Sequence, residues 1–349
     1  MSAAWDYPDF DDHEGVHLYR DAASGLTAVI ALHSTKLGPA AGGTRFWHYA
    51  DKSDAITDAL RLSRGMSYKN AMADLPLGGG KAVILADAGR TKTPAMLQAF
   101  GRAVDSLGGH YVTAEDVGMS VADMVVIAQQ TRFVSGLPAV GAGVGGDPSP
   151  YTAMGIYLGI KAAVKRALGK DALKGVHVAV QGTGSVGGGL ARLLAGDGAL
   201  LTLADVNGAR AQALADELGA TCVATDGILS VEADVISPCA LGAVLNAQTI
   251  PMLKAPIVAG AANNQLATDE DGSRLHARGI LFAPDYVINA GGIINVALEY
   301  IGQGDRDEVE RRIRRIPERL EQVWRESAET GDPAAHVADR IAQRLIGRG

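Results

Sequence analysis

Apolar residues recur along the chain in two alternating rhythms, short continuous runs and stripes at helical spacing. The runs VHLYR (16–20) and LTAVIAL (26–32) flank a turn, DAASG, and predict two β-strands. Residues 53–66, SDAITDALRLSRGM, carry apolar positions at helical spacing behind Ser53, which can cap the helix. The glycine run LPLGGGK (75–81) leads into AVILA (82–86), a run that reads as a buried strand. PAMLQAFGRAVDSLG (94–108) predicts a second helix, and HYVTAED (110–116) a strand running into a loop. At 136–150 the text turns to GLPAVGAGVGGDPSP, a Gly/Pro-rich breaker that marks a domain boundary.

Beyond the breaker, strand runs at 176–181, 200–205, 233–238, 255–260 and 279–284 alternate with helical stretches such as 185–198 and 209–219. Such alternation calls for a parallel sheet with helices on both faces. Residues 305–349 are charged and helical, a solvated face over an apolar stripe. The expected fold is therefore α/β in two domains. An N-terminal α/β substrate and oligomerisation domain takes residues 1–140 plus about 325–349, and a doubly wound dinucleotide-binding (Rossmann) domain takes 141–324.

Composition narrows the class. At 349 residues the chain suits two domains, and 47% hydrophobic with 20% charged residues is a globular balance. A net charge of −7 argues against nucleic acid as the main partner, which would need a clustered basic surface. No apolar run is long enough to span a bilayer, and the acidic start lacks the order of a signal peptide. Two cysteines, Cys222 and Cys239, make no disulfide framework, so a reducing cytoplasm is expected.

The strand at 176–181 ends in Gly182, Thr183, Gly184, Ser185, Val186 and Gly187, and a helix follows at once. In that context the glycines serve a tight turn, close approach of a pyrophosphate to the backbone, and helix–strand packing. The helix N-terminus then offers free N–H groups and its positive dipole end to the phosphates. Asp205 ends the next strand, where its carboxylate can accept from the ribose hydroxyls of NAD and repel a 2′-phosphate. Val206 and Ala240 complete the expected cofactor contacts, while Arg210 lies close enough to leave NADP use open.

Lys69 and Lys81 stand at the edges of an apolar, glycine-rich stretch, and GGGK runs directly into a buried strand. A partly buried lysine beside a second cation loses proton affinity and becomes a usable base near neutral pH. Asp116, at the end of another strand, can complete an acid/base set. The histidines offer a false lead: His13, Glu14 and His17 fit H-E-x-x-H, but Gly15 interrupts the helix that this zinc motif requires. No metal is expected.

From about residue 16 to about 342 the sequence resembles the leucine, valine, phenylalanine and glutamate dehydrogenases, its leucine branch most of all. The motifs that carry the likeness are LGPAAGGTRFW (37–47), MSYKNAMADLPLGGGK (66–81), YVTAEDVG (111–118), DPSPYTAMG (147–155), PCALGAVLN (238–246), AGAANNQL (259–266) and APDYVINAGGIINVA (283–297). The resemblance implies oxidative deamination of an L-amino acid with NAD, in a cleft between the domains that closes to expel water. It implies that Lys69 holds the substrate carboxylate, that Lys81 activates water under the positive field of Lys69, and that Asp116 relays protons to and from the amine. Gly42 and Gly43 would let backbone approach the substrate, and Asn264 would bind its polar end. Thr152 and Asn263 would lie near the nicotinamide, Asn263 standing where the leucine branch is expected to have aspartate.

By the same resemblance Ala41, Met66, Ala114, Ile293 and Val296 line the side-chain pocket. Relative to the leucine branch, Ala41 enlarges it and Ile293 shrinks it, so volume alone does not decide between leucine and phenylalanine; leucine and other branched-chain substrates are expected first and phenylalanine second. Glutamate is disfavoured, since no basic residue in this set would pair its distal carboxylate. A non-catalytic nucleotide-binding protein would predict loss of Lys69, Lys81 or Asp116. A 2-hydroxy-acid dehydrogenase would predict a His/carboxylate pair with an arginine. The family assembles through its first domain, and a homo-oligomer is expected here, a dimer by preference because the tail matches only to Ala342.

Overall fold

The computed structural model describes residues 4–138, 147–302 and 305–348. Most of the glycine-rich stretch at which the sequence places the domain boundary, 139–146, lies outside the described residues. The chain forms two compact units, Met1–Gly146 with Asn295–Arg306 and Ala342–Gly349, and Asp147–Ile294 with Asp307–Ile341.

In the first unit, β1 (Gly15–Asp21) and β2 (Leu26–Ser34) form the expected pair, antiparallel from Gly15↔Leu32 to Asp21↔Leu26. They join β3 (Ala40–Trp47), β4 (Gly78–Leu85) and β5 (Tyr111–Glu115) in a sheet of order β1-β2-β4-β3-β5. β3 runs parallel to both β4 and β5. One face is covered by α1 (Lys52–Met72), whose Ala55, Ala59 and Leu60 pack on Val29, Ala31 and Val83. The other face carries α2 (Pro94–Asp105) and α3 (Val121–Ala128), with Phe100, Val104, Met124 and Ile127 over Ile30, Ala82 and Ile84. Each large side chain so buried contributes about 1.5–3 kcal/mol, and this double cover is why β2 and β4 read as unbroken apolar runs.

Two local expectations change. The cap of α1 is Asp51, whose side chain accepts from Ser53 N at 2.9 Å, so the helix starts before Ser53. The helix also continues through Gly65, which lies on an exposed face, to Met72. Lys69 therefore stands on a helix.

The second unit opens on α4 (Ser149–Leu168), a helix that the sequence pattern does not assign. β6 (His177–Gln181), α5 (Ser185–Gly196), β7 (Leu200–Ala204), α6 (Gly208–Leu218) and β8 (Thr221–Cys222) follow. Then come β9 (Val235–Pro238), β10 (Ile257–Val258), α7 (Asp269–Ala277) and β11 (Leu281–Phe282). The all-parallel order β11-β10-β9-β6-β7-β8 spreads outward from β6 in both directions, the doubly wound arrangement of dinucleotide-binding domains. α8 (Asp285–Ile288) and α9 (Gly291–Tyr300) come next, and α9 carries the chain back into the first unit.

The charged tail forms α10 (Arg306–Ile313), α11 (Ile316–Thr330) and α12 (Ala334–Leu345). Its return to the first unit begins at Ala342 rather than near 325. The reason is packing: Trp324 is buried and donates from Nε1 to Phe282 O at 2.8 Å, and Tyr286 donates to Asp339 at 2.7 Å. No helix among the described residues is long and apolar enough to cross a membrane.

A buried polar network fastens α1 within the first unit. His33 Nδ1 lies 2.7 Å from Ser67 Oγ, and its Nε2 lies 3.0 Å from Asp11 Oδ2 and 2.8 Å from Arg348 Nη1. Arg348 also donates to the carbonyls of Asp11, Asp12 and His33. His13 of the false zinc motif sits beside it, 2.9 Å from Ser63 Oγ, while His17 lies on β1. Burial, joined by Arg348 and His13 and opposed by the Asp11 hydrogen bond, pushes the His33 ring down to about 4. A folded-state value below that of the unfolded histidine means that the unfolded chain binds more protons in between. Stability is accordingly expected to fall as pH drops from about 6.5 to about 4. Thermal melts across that window should show His33→Gln flattening the slope, and an undiminished slope would exclude His33 as its source.

Candidate active site

Glycines bring the first unit's chemistry together. Gly79 lets the α1 backbone lie directly on β4: a Cβ there would stand 2.0 Å from Ser67 N. A Cβ on Gly42 would stand 1.8 Å from Gly80 O, and one on Gly43 2.3 Å from Glu115 O. Close strand approach alone thus demands both glycines, whatever they do for a substrate. Met66 reaches over Gly42, its Cγ 3.1 Å from that same Cβ position. Ala41 and Ala114 lie on the neighbouring strands β3 and β5, Ala41 buried and Ala114 half-buried.

Lys81, on β4, is 6% exposed, and its Nζ lies 2.7 Å from Asp116 Oδ2 just past β5. Arg45 of β3 donates to the same oxygen from Nε at 3.2 Å and to Asp58 of α1 from Nη1 at 2.7 Å. Tyr49 donates to that Asp58 oxygen. Burial pushes the Lys81 ammonium below its ordinary value against the pull of Asp116, and Arg45 adds to the downward push. Arg45 is thus a nearby cation besides Lys69, to which the sequence assigns this task. Asp116 is held below the usual carboxylate range because Lys81 and Arg45 outweigh its burial. A half-buried Lys69 stands on α1 two residues beyond Ser67. Half-buried Val296, on α9, has its carbonyl bonded by Ser135 Oγ at 2.9 Å.

The second unit holds the remaining candidates. Gly182 takes φ +97°, Gly187 approaches within 1.9 Å of Gly182 O as measured from its missing Cβ, and Gly184 faces open space. No side chain caps α5 at Gly184, so its first N–H groups remain for an anion, and Ser185 and Val186 open that helix. This cradle fits a pyrophosphate.

Asp205 accepts from Thr183 N at 2.7 Å, Asn207 N at 2.8 Å and Arg210 Nη2 at 2.8 Å to both oxygens. Against the upward push of burial, the Thr183, Arg210 and Asn207 bonds hold it at about 2. Val206 is exposed, and the Ala240 Cβ lies 2.9 Å from where Gly182 would carry its own. Thr152 Oγ1 donates to Pro148 O at 3.1 Å and lies 2.6 Å from the missing Cβ of Gly292, beside half-buried Ile293. Asn263 Oδ1 accepts from Asn289 Nδ2 at 2.8 Å. Asn264 is exposed with φ +50°.

Residues 14–133 match the model of the Glu/Leu/Phe/Val dehydrogenase dimerisation domain, and 209–346 that of the Glutamate/Leucine/Phenylalanine/Valine dehydrogenase domain. The chain belongs to the Glu/Leu/Phe/Val dehydrogenase family. It is 48% identical to the leucine dehydrogenase of Geobacillus stearothermophilus, over 97% of this chain and 92% of that one. With the valine dehydrogenase of Streptomyces albus it shares 46% identity over 97% and 94% of the two chains. Its fold superposes on an L-tryptophan dehydrogenase from Nostoc punctiforme with a TM-score of 0.86, at 42% identity and 96% coverage of both.

As a member of this family the protein is an amino-acid dehydrogenase, an oxidoreductase of pyridine-nucleotide chemistry. Each unit's candidate residues have neighbours that sequence reasoning did not single out. Arg45, Asp58 and Tyr49 form the far side of the Lys81–Asp116 pair, and Asn289 braces Asn263. Arg45 stands inside the LGPAAGGTRFW motif and Asn289 inside APDYVINAGGIINVA, so both were visible there. Asp58 gives no local signal, since a carboxylate mid-helix ordinarily faces water.

Proposed function

We propose that this dehydrogenase oxidatively deaminates branched-chain L-amino acids with NAD, releasing the 2-oxo acid and ammonia. The observation that carries the reading is the buried Lys81 ammonium held 2.7 Å from Asp116. Lys69 binds the substrate carboxylate, and Asn264 meets its polar end. The nucleotide, when bound, accepts the α-hydrogen as hydride. Lys81 in its neutral form takes a proton from the water that attacks the resulting substrate iminium carbon. Asp116, ionised and hydrogen-bonded to Lys81, carries protons to and from the departing amine. Arg45 keeps Asp116 ionised throughout. Thr152 and Asn263, the latter braced by Asn289, orient the nicotinamide, and Gly182–Gly187 with the α5 N-terminus hold the pyrophosphate.

By the family resemblance we take Ala41, Met66, Ala114, Ile293 and Val296 as the residues that meet the substrate side chain, an apolar set in keeping with relatives named for leucine, valine and tryptophan. A pocket of this kind discriminates one methylene by only about 1–3 kcal/mol, so neighbouring substrates overlap. Asp205 favours NAD because its ionised carboxylate repels a 2′-phosphate, although Arg210 neutralises part of that charge. The match to a dimerisation domain supports a homodimer, and the unpaired Cys222 and Cys239 suit a reducing cytoplasm.

A screen of kcat/KM over L-amino acids with NAD and NADP tests the reading. Leucine, isoleucine and valine with NAD are expected to lead, phenylalanine to follow, and glutamate to be near background. A lead by phenylalanine would show that the space at Ala41 outweighs Ile293, and a lead by glutamate would overturn the pocket. Equal use of both nucleotides would overturn the role of Asp205.

A further inference from the structure

The last turns of α1 are tied down residue by residue. Met66 lies over Gly42, and Ser67 meets Gly79 through its backbone and His33 through its hydroxyl. Tyr68 accepts at its hydroxyl from Gln343 Nε2 at 3.0 Å. Asn70 donates to Gly78 O at 2.6 Å. Ser67 and Asn70 are wholly buried, as is His33, and Tyr68 nearly so. Lys69 stands in the middle of this set. Two of the ties come from residues 343–348, since Arg348 binds His33 and its carbonyl and also spans the carbonyls of Asp11 and Asp12.

Apolar packing would hold a helix end onto a sheet at lower desolvation cost than this network. What directed polar bonds add is a single register. Here the register concerns Lys69, because Ser67, whose backbone rests on Gly79, and the tied Tyr68 and Asn70 flank it on the same turn of α1.

We infer that Gln343 and Arg348, acting through Tyr68 and through the His33–Ser67 pair, are positioning residues that fix the turn of α1 carrying Lys69 and so set the affinity for the substrate carboxylate. The inference rests on the reading of Lys69 as the carboxylate ligand. It assigns a role in substrate binding to two residues that lie outside every motif of the resemblance.

Steady-state kinetics of the intact enzyme with its preferred amino acid test it. Tyr68→Phe removes one hydroxyl at constant shape, and Arg348→Ala removes the other tie. Each is expected to raise the amino-acid KM about tenfold while kcat changes little, a modest case of what a misplaced binding group costs. The nucleotide KM should not move, and Arg348→Lys should recover part of the loss.

In a Lys69→Ala background the same two substitutions should change kcat/KM by less than about twofold, because residues that act as one unit are non-additive. A purely structural role would instead lower the melting temperature with KM unmoved, and that result overturns the inference. So does an undiminished effect in the Lys69→Ala background. If Arg348→Ala does not fold, Tyr68→Phe alone decides the matter. Lys69→Ala without effect on KM would overturn the carboxylate reading and the inference with it. A normal Lys69→Ala effect beside silent Tyr68→Phe and Arg348→Ala would overturn the inference alone.

Discussion

Replacing Lys81 with alanine is expected to lower turnover by about 10²–10⁴-fold, the usual worth of a positioned general base. Nucleotide binding, followed by NADH fluorescence, should stay close to that of the parent protein, since the glycine cradle lies in the other compact unit. The pH profile gives a second reading. Lys81 acts when neutral, so the rate of oxidative deamination should rise with pH. The midpoint should fall below that of an ordinary lysine, because burial and Arg45 outweigh Asp116. Asp116, held low by Lys81 and Arg45, stays ionised across the same range and contributes no limb there. Retention of more than about a tenth of turnover by Lys81→Ala would be incompatible with general-base catalysis by this residue.

The second large effect concerns a residue with no side chain. Gly79→Ala places a methyl group 2.0 Å from Ser67 N and 2.5 Å from its Cα. Neither atom can rotate away, so α1 must shift off β4. A loss of about 3 kcal/mol or more is expected, at the upper end of overpacking costs. Any folded fraction should also bind the amino acid poorly, because Lys69 moves with the helix. Gly65→Ala on the same helix is the control: its methyl meets nothing within 4 Å, and the change should stabilise by up to about 1 kcal/mol. Chemical denaturation of both variants checks the pair, and comparable stabilities would show that the close approach at Gly79 is not required.

The parts of this fold that sequence exposes are those governed by one local rule. AVILA and VHVAVQ are buried on both faces and show as unbroken apolar runs, and G-x-G-x-x-G between strand and helix marks its own turn. What escapes depends on distant neighbours. β3, AAGGTRFW, hides behind two glycines whose purpose appears only once Gly80 O and Glu115 O are in place beside them. α1 outruns its expected end at 66, and the residues beyond it, Ser67 and Asn70, are held by contacts to β4 that lie outside the helix. At the site, Lys81 stands out as a lysine leading into a buried run and Asp116 as a carboxylate at a strand end, and the structure brings the two together. Arg45, which adds to the lowered proton affinity of Lys81, is not legible beforehand, because only the parallel register of β3 on β4 brings it in.

The discontinuity of the first unit bears on how the molecule is made. Tyr68 and Gln343 are 275 residues apart along the chain, with most of the nucleotide-binding unit written between them. Closing so long a loop adds little to the equilibrium cost, about 0.6 kcal/mol for each doubling of length. In kinetic terms the separation matters more, since contacts distant in sequence form late and a growing chain emerges from the ribosome at about 5–20 residues per second. During synthesis, therefore, the five-stranded sheet is available well before the residues that fasten its long helix. A nascent chain halted short of residue 343 should carry that helix held by its contacts to β4 and His33 but without the tie from Gln343 to Tyr68, and so less firmly fastened until the rest of the polypeptide arrives.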